Sequence, residues 1–372
     1  MSETDLVSKN SSTVEPIHPD RPTPIIQDLE VFPYRHSMET QVAIQELVDG
    51  NYVWIEDFYS SGQKVLLAIK QFVQNNKKGD SFLQQRESRN LFYELSNRLL
   101  LFVKNHKLAA KKAPEIGWFK ILYPELDEFV LPFPKVQGLN SSWQSYQKGI
   151  FIPVLGSKIF PYFGTYFPTR FEHLELFAQW LKQYDKKKQT AIDVGIGCGV
   201  LSYQLLRNGF EKVYGTDINP NAIIGLNDDF NKKSRYPAIE LVYGDLFAGI
   251  DVQADLIVFN PPWLPAKQNV EALDTAIYYE ETLFSRFFEE AEKHLSDDGS
   301  LVFLFSNLGE VTGQRTMHPI EQELNENSRF EREIFRTKEV GEASKHTRRD
   351  QNWRAKEKVE LWVLKKKKIE FF

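Results

Sequence analysis

A single cysteine, Cys198, stands among 372 residues, which excludes an internal disulfide and any multi-cysteine zinc site and fits a reducing compartment. Long apolar runs are missing too, and none approaches the length that spans a bilayer. The N-terminal stretch holds Asp5, Lys9, Asp20 and several prolines without the apolar segment of a secretory signal. Positive charge is not in excess: 46 Lys and Arg against 51 Asp and Glu leave a formal charge of -5. That argues against a surface basic throughout but permits a local patch. No sustained heptad and no internal repeat appears. These absences lead to the expectation of a soluble, cytoplasmic protein with no membrane partner. With 42% hydrophobic and 26% charged residues, the chain is long enough for two domains and at least one large core.

Residues 1–30 are polar and proline-bearing and read as a flexible tail. Residues 31–148 read as a mainly helical N-terminal domain with a possible role in substrate recognition. Its apolar groups are Ile44, Leu47 and Val48, then Leu66, Ile69, Phe72 and Val73, then Leu91, Leu95, Leu99 and Phe102 at three- and four-residue spacing. Residues 113–148, with several Pro and Gly, read as an irregular connector. The second domain, 149–372, opens with a hairpin over 149–170, and its core spans 171–364. Strands and helices alternate there, which predicts a parallel sheet with helices on both faces. Strands are expected near 190–194, 212–217, 239–243, 256–259, 301–305, 329–335 and 358–364. A long helix carrying Leu283, Phe287, Phe288, Ala291 and Leu295 should end near Gly299. The last two strands leave no room for a helix between them, so their pairing should be antiparallel.

Chemistry gathers at the ends of successive strands. The first strand runs into Asp193-Val194-Gly195-Ile196-Gly197-Cys198-Gly199, a glycine turn that lets backbone approach a ligand. The spacing is not that of dinucleotide binding. The second strand ends in Asp217, a carboxylate able to accept from both hydroxyls of a ribose. The third ends in Asp245-Leu246-Phe247, where Asp245 can accept from an adenine amino group while Leu246 or Phe247 lies against the ring. The plain alternative is that both Asp residues cap the following helices. The fourth strand ends in Asn260-Pro261-Pro262-Trp263. The Asn260 side-chain oxygen and the Pro261 carbonyl can take both hydrogens of a planar amino group and turn its lone pair outward, while Trp263 stacks on its flat face. Two prolines can also simply end a strand.

Residues 190–308 resemble a class I S-adenosylmethionine-dependent methyltransferase, with a Rossmann-like seven-stranded sheet whose last strand is antiparallel. Asn260-Pro261-Pro262-Trp263 is similar to the (Asn/Asp/Ser)-Pro-Pro-(Tyr/Phe/Trp) motif of amino methyltransferases, and Tyr166–His173 to a segment of the release-factor glutamine methyltransferases. That resemblance implies S-adenosyl-L-methionine as cofactor. Asp193, Gly195 and Gly197 would hold its methionine end, Asp217 its ribose, and Asp245 and Leu246 its adenine; Phe167, Pro168, Thr169 and Asn260 would line the pocket. Asn260, Pro261, Pro262 and Trp263 would carry catalysis. The implied acceptor is a protein glutamine side chain. The alternatives are adenine N6 or guanine N2 of RNA, less readily DNA, or a small molecule. Two rival classes, a nicotinamide-dependent oxidoreductase and an inactive binding protein, fit the glycine spacing and the strand-four motif less well.

Cys198 reads as a packing residue, and the scattered histidines predict no metal site. Lys345, His346, Arg348, Arg349, Arg354 and Lys356 form a basic loop between the last two strands, able to meet an anionic substrate or to lie solvated among Glu342, Asp350 and Glu357. Arg98, Lys104, Lys107, Lys111 and Lys112 could extend that surface.

Overall fold

In the computed structural model, the described residues are 17–27, 29–76, 82–233, 238–266, 278–341 and 356–368. The first unit is built on β1 (Val31–Tyr34), α1 (Thr40–Val48), β2 (Tyr52–Ile55), α2 (Tyr59–Asn76), α3 (Phe82–Asn97) and β3 (Leu99–Lys104). It continues with β4 (Lys107–Leu108), α4 (Trp118–Leu122), β5 (Glu128–Pro132) and α5 (Phe133–Lys148). Its helices surround a five-stranded sheet in which β1, β2 and β3 run parallel and β4 and β5 each pair antiparallel with β3. The expectation of a mainly helical domain therefore missed a sheet. Leu99 and Phe102, read as the continuation of a helical face, lie in β3, because a short apolar run has no period that separates buried strand from helix. The expected connector over 113–148 likewise holds α4, β5 and α5; Pro134 falls in the first turn of α5, where a missing N–H costs nothing.

Of the expected tail, residues 17–27 are bound to the body. Ile25 bridges Val130, the Tyr123 hydroxyl donates to the Pro22 carbonyl, and Asn221 Nδ2 donates to the Asp20 carbonyl. Residues 1–16 lie outside the described residues.

The second unit begins with the hairpin β6 (Ile150–Ile152) and β7 (Ser157–Ile159), followed by α6 (Glu172–Leu181). Then come β8 (Thr190–Val194), α7 (Val200–Arg207), β9 (Lys212–Asp217), α8 (Pro220–Lys233), β10 (Ile239–Tyr243) and β11 (Ala254–Phe259). The chain ends with β12 (Leu264–Pro265), β13 (Tyr278–Tyr279), α9 (Leu283–His294), β14 (Leu295–Ser306), α10 (Leu308–Val311), α11 (Pro319–Glu326), β15 (Phe330–Glu339) and β16 (Lys358–Lys366). Seven strands form one sheet in the order β10-β9-β8-β11-β14-β16-β15. Only β16 runs against its neighbours, inserted between β14 and β15. The strands of this sheet sit where the sequence predicts, and the antiparallel last strand is found. The long helix stops at His294, earlier than expected, and Leu295 already opens β14.

Order along the chain reverses between β8 and β11, so the crevice at their C-terminal ends lies at a topological switch point, where open α/β sheets bind ligands. One face of the sheet packs Ala191, Leu256 and Val258 against α6 and α7; the other packs Ile192, Ile257 and Phe303 against Phe287 and Phe288 of α9.

An aromatic cluster joins the two units. The Trp118 ring, fully buried, lies 4.8 Å from Tyr146 and from Tyr162, 5.2 Å from Trp143 and 6.2 Å from Phe163. Tyr162 and Phe163 lead out of the hairpin of the second unit, so that segment packs into the core of the first. Trp118→Ala should cost about 3–5 kcal/mol and split thermal unfolding into two transitions. A single transition with under about 1 kcal/mol lost would contradict this role.

Candidate active site

The turn after β8 is fastened to β9 by two bonds: Ile196 N–H donates to the Thr216 carbonyl at 2.8 Å and Gly197 N–H to Asp217 Oδ2 at 2.8 Å. Gly197 has φ 52°, and a Cβ there would meet only the Tyr166 carbonyl at 3.7 Å and the Gly195 carbonyl at 3.9 Å. A side chain would thus be strained, and it would fill the space a ligand needs. Gly195, at φ 68°, is exposed beside it.

Asp193 is fully buried. Its Oδ2 accepts from the Ser202 N–H at 2.9 Å and the Ser202 hydroxyl at 2.7 Å, while Oδ1 has no partner. Burial pushes this carboxyl up to about 7 against the pull of the Ser202 bonds, and the neighbouring Asp217 adds to the rise. Asp217 accepts from Gly197 N–H on one oxygen and from Asn219 N–H, at 2.8 Å, on the other. Burial raises its pKa, and those two bonds oppose the shift.

Asp245 is half exposed and ion-paired to Arg286 of α9 at 2.5 Å. Leu246 is buried with φ 48°, its carbonyl accepting from the Thr216 hydroxyl at 2.6 Å. Phe247 is not at the crevice: its ring is buried and lies parallel to His294 at 4.9 Å. The apolar side chains free to meet a planar ligand are Ile218, 62% exposed directly after Asp217, and Tyr243, 50% exposed and in register with Asp217. Ile218 had a signal in the sequence, an apolar residue where a loop ought to be polar; Arg286, 41 residues from Asp245, had none.

The segment before α6 crosses the glycine turn. Asn219 Nδ2 donates to the Gly164 carbonyl at 2.9 Å, and the Tyr166 carbonyl lies over Gly197. Phe167 is half-buried on the core, Pro168 is buried and Thr169 is exposed. Arg170 pairs at 2.7 Å with the buried Glu357, which is thereby committed to this segment. Lys345, Arg348, Arg349 and Arg354 lie outside the described residues.

At the end of β11, Asn260 is half-buried and Pro261 buried. The Trp263 indole turns inward. Its Nε1–H is shared between Asn260 Oδ1 at 3.2 Å and the Leu304 carbonyl at 3.3 Å, and its ring meets His173 of α6 edge to face at 5.4 Å. Here the indole supports Asn260 instead of lying open as a stacking platform. His173 is buried with neither ring nitrogen hydrogen-bonded, and burial pushes its pKa down to about 4. Cys198 lies in the turn, its thiol pushed up to about 12 by burial. It borders a cavity of about 280 Å³ behind the turn, between the hairpin, α7 and α8, which Asp217, Asp245 and Asn260 do not line. Among the described residues no group of three His, Cys, Asp or Glu side chains could hold a metal, and no helix is long and apolar enough to cross a membrane.

The fit to S-adenosylmethionine rests on this geometry. Asp193 Oδ1, an orphaned buried acceptor beside a glycine turn, suits an ammonium group; Asp217 has lone pairs left for ribose hydroxyls; Asp245 can accept an amino hydrogen while keeping Arg286.

Asp193 and His173 pull stability in opposite directions with pH. His173 resists protonation in the fold, so its contribution is present above pH 6.5 and lost as pH falls toward 4. Asp193 resists ionisation, so its contribution is present below pH 3.8 and lost as pH rises toward 7. His173→Phe should therefore lose stability, relative to the parent, as pH rises from 4.5 to 6.5, and Asp193→Asn should gain it, each by a few kcal/mol at most. Urea midpoints at the two pH values test this, and variants that keep the parent's pH slope would contradict it.

Comparison with known proteins agrees with the crevice. Residues 174–318 match the methyltransferase small domain family. A Methanocaldococcus jannaschii protein provisionally named a protein N5-glutamine methyltransferase is 29% identical over 138 residues, 35% of this chain and 67% of the relative. A ribosomal protein L11 methyltransferase of Tolumonas auensis is 36% identical over 85 residues, but the chain spans only 29% of that relative's length, and the match takes in 23% of this chain. The ribosomal protein L11 methylase of Lactobacillus delbrueckii subsp. bulgaricus aligns in space over 52% of this chain and 78% of its own, at TM-score 0.35 and 22% identity. By the family match residues 174–318 carry an S-adenosylmethionine-dependent methyltransferase domain.

Proposed function

We propose that the chain methylates a planar amide nitrogen, a protein glutamine side chain ahead of other acceptors. The observation that carries this reading is the Asn260-Pro261-Pro262-Trp263 corner, where an Asn carboxamide held by the Trp263 indole stands at the end of β11, next to the strand that bears the glycine turn. Similarity to the M. jannaschii relative supports it.

Bound S-adenosylmethionine supplies an electrophilic methyl group. In this reading Asp193, Asp217 and Asp245 hold it by its ammonium, ribose and adenine ends, with Ile218 and Tyr243 against the ring. Asn260 Oδ1, already accepting from Trp263, keeps a second lone pair for one acceptor hydrogen, and the Pro261 carbonyl takes the other. Holding both hydrogens turns the nitrogen lone pair along the line of attack, and positioning of this kind supplies much of a rate enhancement. The nitrogen would become cationic as it takes the methyl group and the methyl–sulfur bond breaks to leave a neutral thioether, so both carbonyls would bind the transition state more strongly than the ground state. The released proton passes to solvent, so no strong base is required.

Labelled methyl transfer from S-adenosylmethionine into a cell extract, followed by protease or nuclease digestion, tests the acceptor. Label lost to protease alone supports the glutamine reading; label lost to ribonuclease overturns it in favour of a base nitrogen. Asn260→Ala should lower turnover on the order of 10²-fold with cofactor affinity nearly intact. Trp263→Phe should cost about 1 kcal/mol of transition-state stabilisation, several-fold in rate, by releasing the Asn260 side chain. Turnover equal to the parent's in Asn260→Ala would remove the mechanism.

A further inference from the structure

A second cluster of cationic and aromatic side chains lies far along the chain from the methyl-transfer site. In the first unit β1, β2 and β3 are parallel, and their C-terminal ends share one edge of the sheet. Arg35 and His36 follow β1, Glu56 to Phe58 follow β2, and Lys111 and Lys112 return to this edge after β4, where Phe58 bridges Lys111. The Phe58 ring, half-buried, has Lys111 Nζ at 5.7 Å, Lys112 Nζ at 5.9 Å and the His36 ring edge-on at 5.9 Å. Lys64, from α2, lies 3.3 Å from His36 Nδ1. Lys64, Lys111, Lys112 and His36 are all exposed.

The local acids do not cancel these cations. Glu56 is engaged by Arg35 at 2.5 Å. Asp57 accepts from the His36 and Phe58 N–H groups at 2.6 Å each and from the Ser61 hydroxyl at 2.9 Å; burial raises its pKa, but these bonds outweigh it and hold the carboxyl below its ordinary value. Its oxygens serve the turn, leaving two ammonium groups over the Phe58 ring and the Lys64 ammonium beside His36. Lys112 sits there at φ 54°, a backbone state that costs a lysine energy.

We propose that this edge binds a single-stranded nucleic acid, with phosphates on Lys64, Lys111 and Lys112 and a base against Phe58. Cations alone would suit any polyanion; an aromatic ring set among them suits a strand that alternates phosphates with planar bases. The proposal is independent of the acceptor reading, because binding here needs neither cofactor nor turnover.

The test is fluorescence anisotropy of the full chain with a labelled 12-nucleotide single strand, RNA or DNA, over a salt series without cofactor. Three neutralised phosphates should give a log–log salt slope of about −2. Lys111→Gln with Lys112→Gln should cut that slope to about −0.7. Phe58→Leu, with its thermal midpoint checked, should weaken binding about tenfold and leave the slope unchanged. No binding, or a lysine double variant with the parent's slope, overturns the proposal. So does oligoglutamate bound as tightly as the strand with no loss in Phe58→Leu, which would assign the edge to an acidic protein segment.

Discussion

The Asp217 carboxylate holds the catalytic end of the sheet together. One oxygen accepts from Gly197 N–H and so sets the height of the glycine turn above β8; the other accepts from Asn219 N–H and sets the loop into α8. Asn219 then donates to Gly164, which draws the pre-α6 segment across the turn. Three stretches distant in sequence are thereby registered on one side chain. A carboxylate partly withdrawn from water is costly unless hydrogen-bonded, and here the bonds it needs are the ones that shape the crevice.

A similar economy operates at the acceptor end. Trp263 contributes a donor to Asn260 and to β14 at once, and its ring closes over a neutral, unpartnered His173. The side chain proposed to orient the acceptor is therefore itself oriented from the core. Preorganisation of this kind keeps the reacting groups aligned without reorganisation at the moment of transfer. Asp193 completes the pattern, with one oxygen given to Ser202 and the other left without a partner.

Much of the second unit was legible from its residues because β8 to β11 are largely β-branched or apolar runs closed by Gly, Asp or Asn, and β8, β9 and β10 begin and end where the pattern changes. The first unit was not. Leu91 and Leu95 on α3 run into Leu99 on β3 at one spacing, so periodicity alone continues the helix through its end at Asn97. Side-chain directions were not legible either: the motif contains Trp263 but nothing in it says that the indole turns inward. Phe247 was misplaced for the same reason, since its partner His294 lies at the end of a distant helix. The platform around Phe58 was visible only as scattered lysines until the sheet edge gathered them.

The most direct measurement is a calorimetric titration of S-adenosylmethionine into the parent chain and into Asp217→Ala. The account predicts one site in the parent and an affinity at least about tenfold weaker in the variant, since a ribose contact and the anchor of the glycine turn, worth about 1–3 kcal/mol, are lost together. Equal affinity in the two proteins would contradict the assignment of Asp217 and with it the account of how the crevice holds its cofactor.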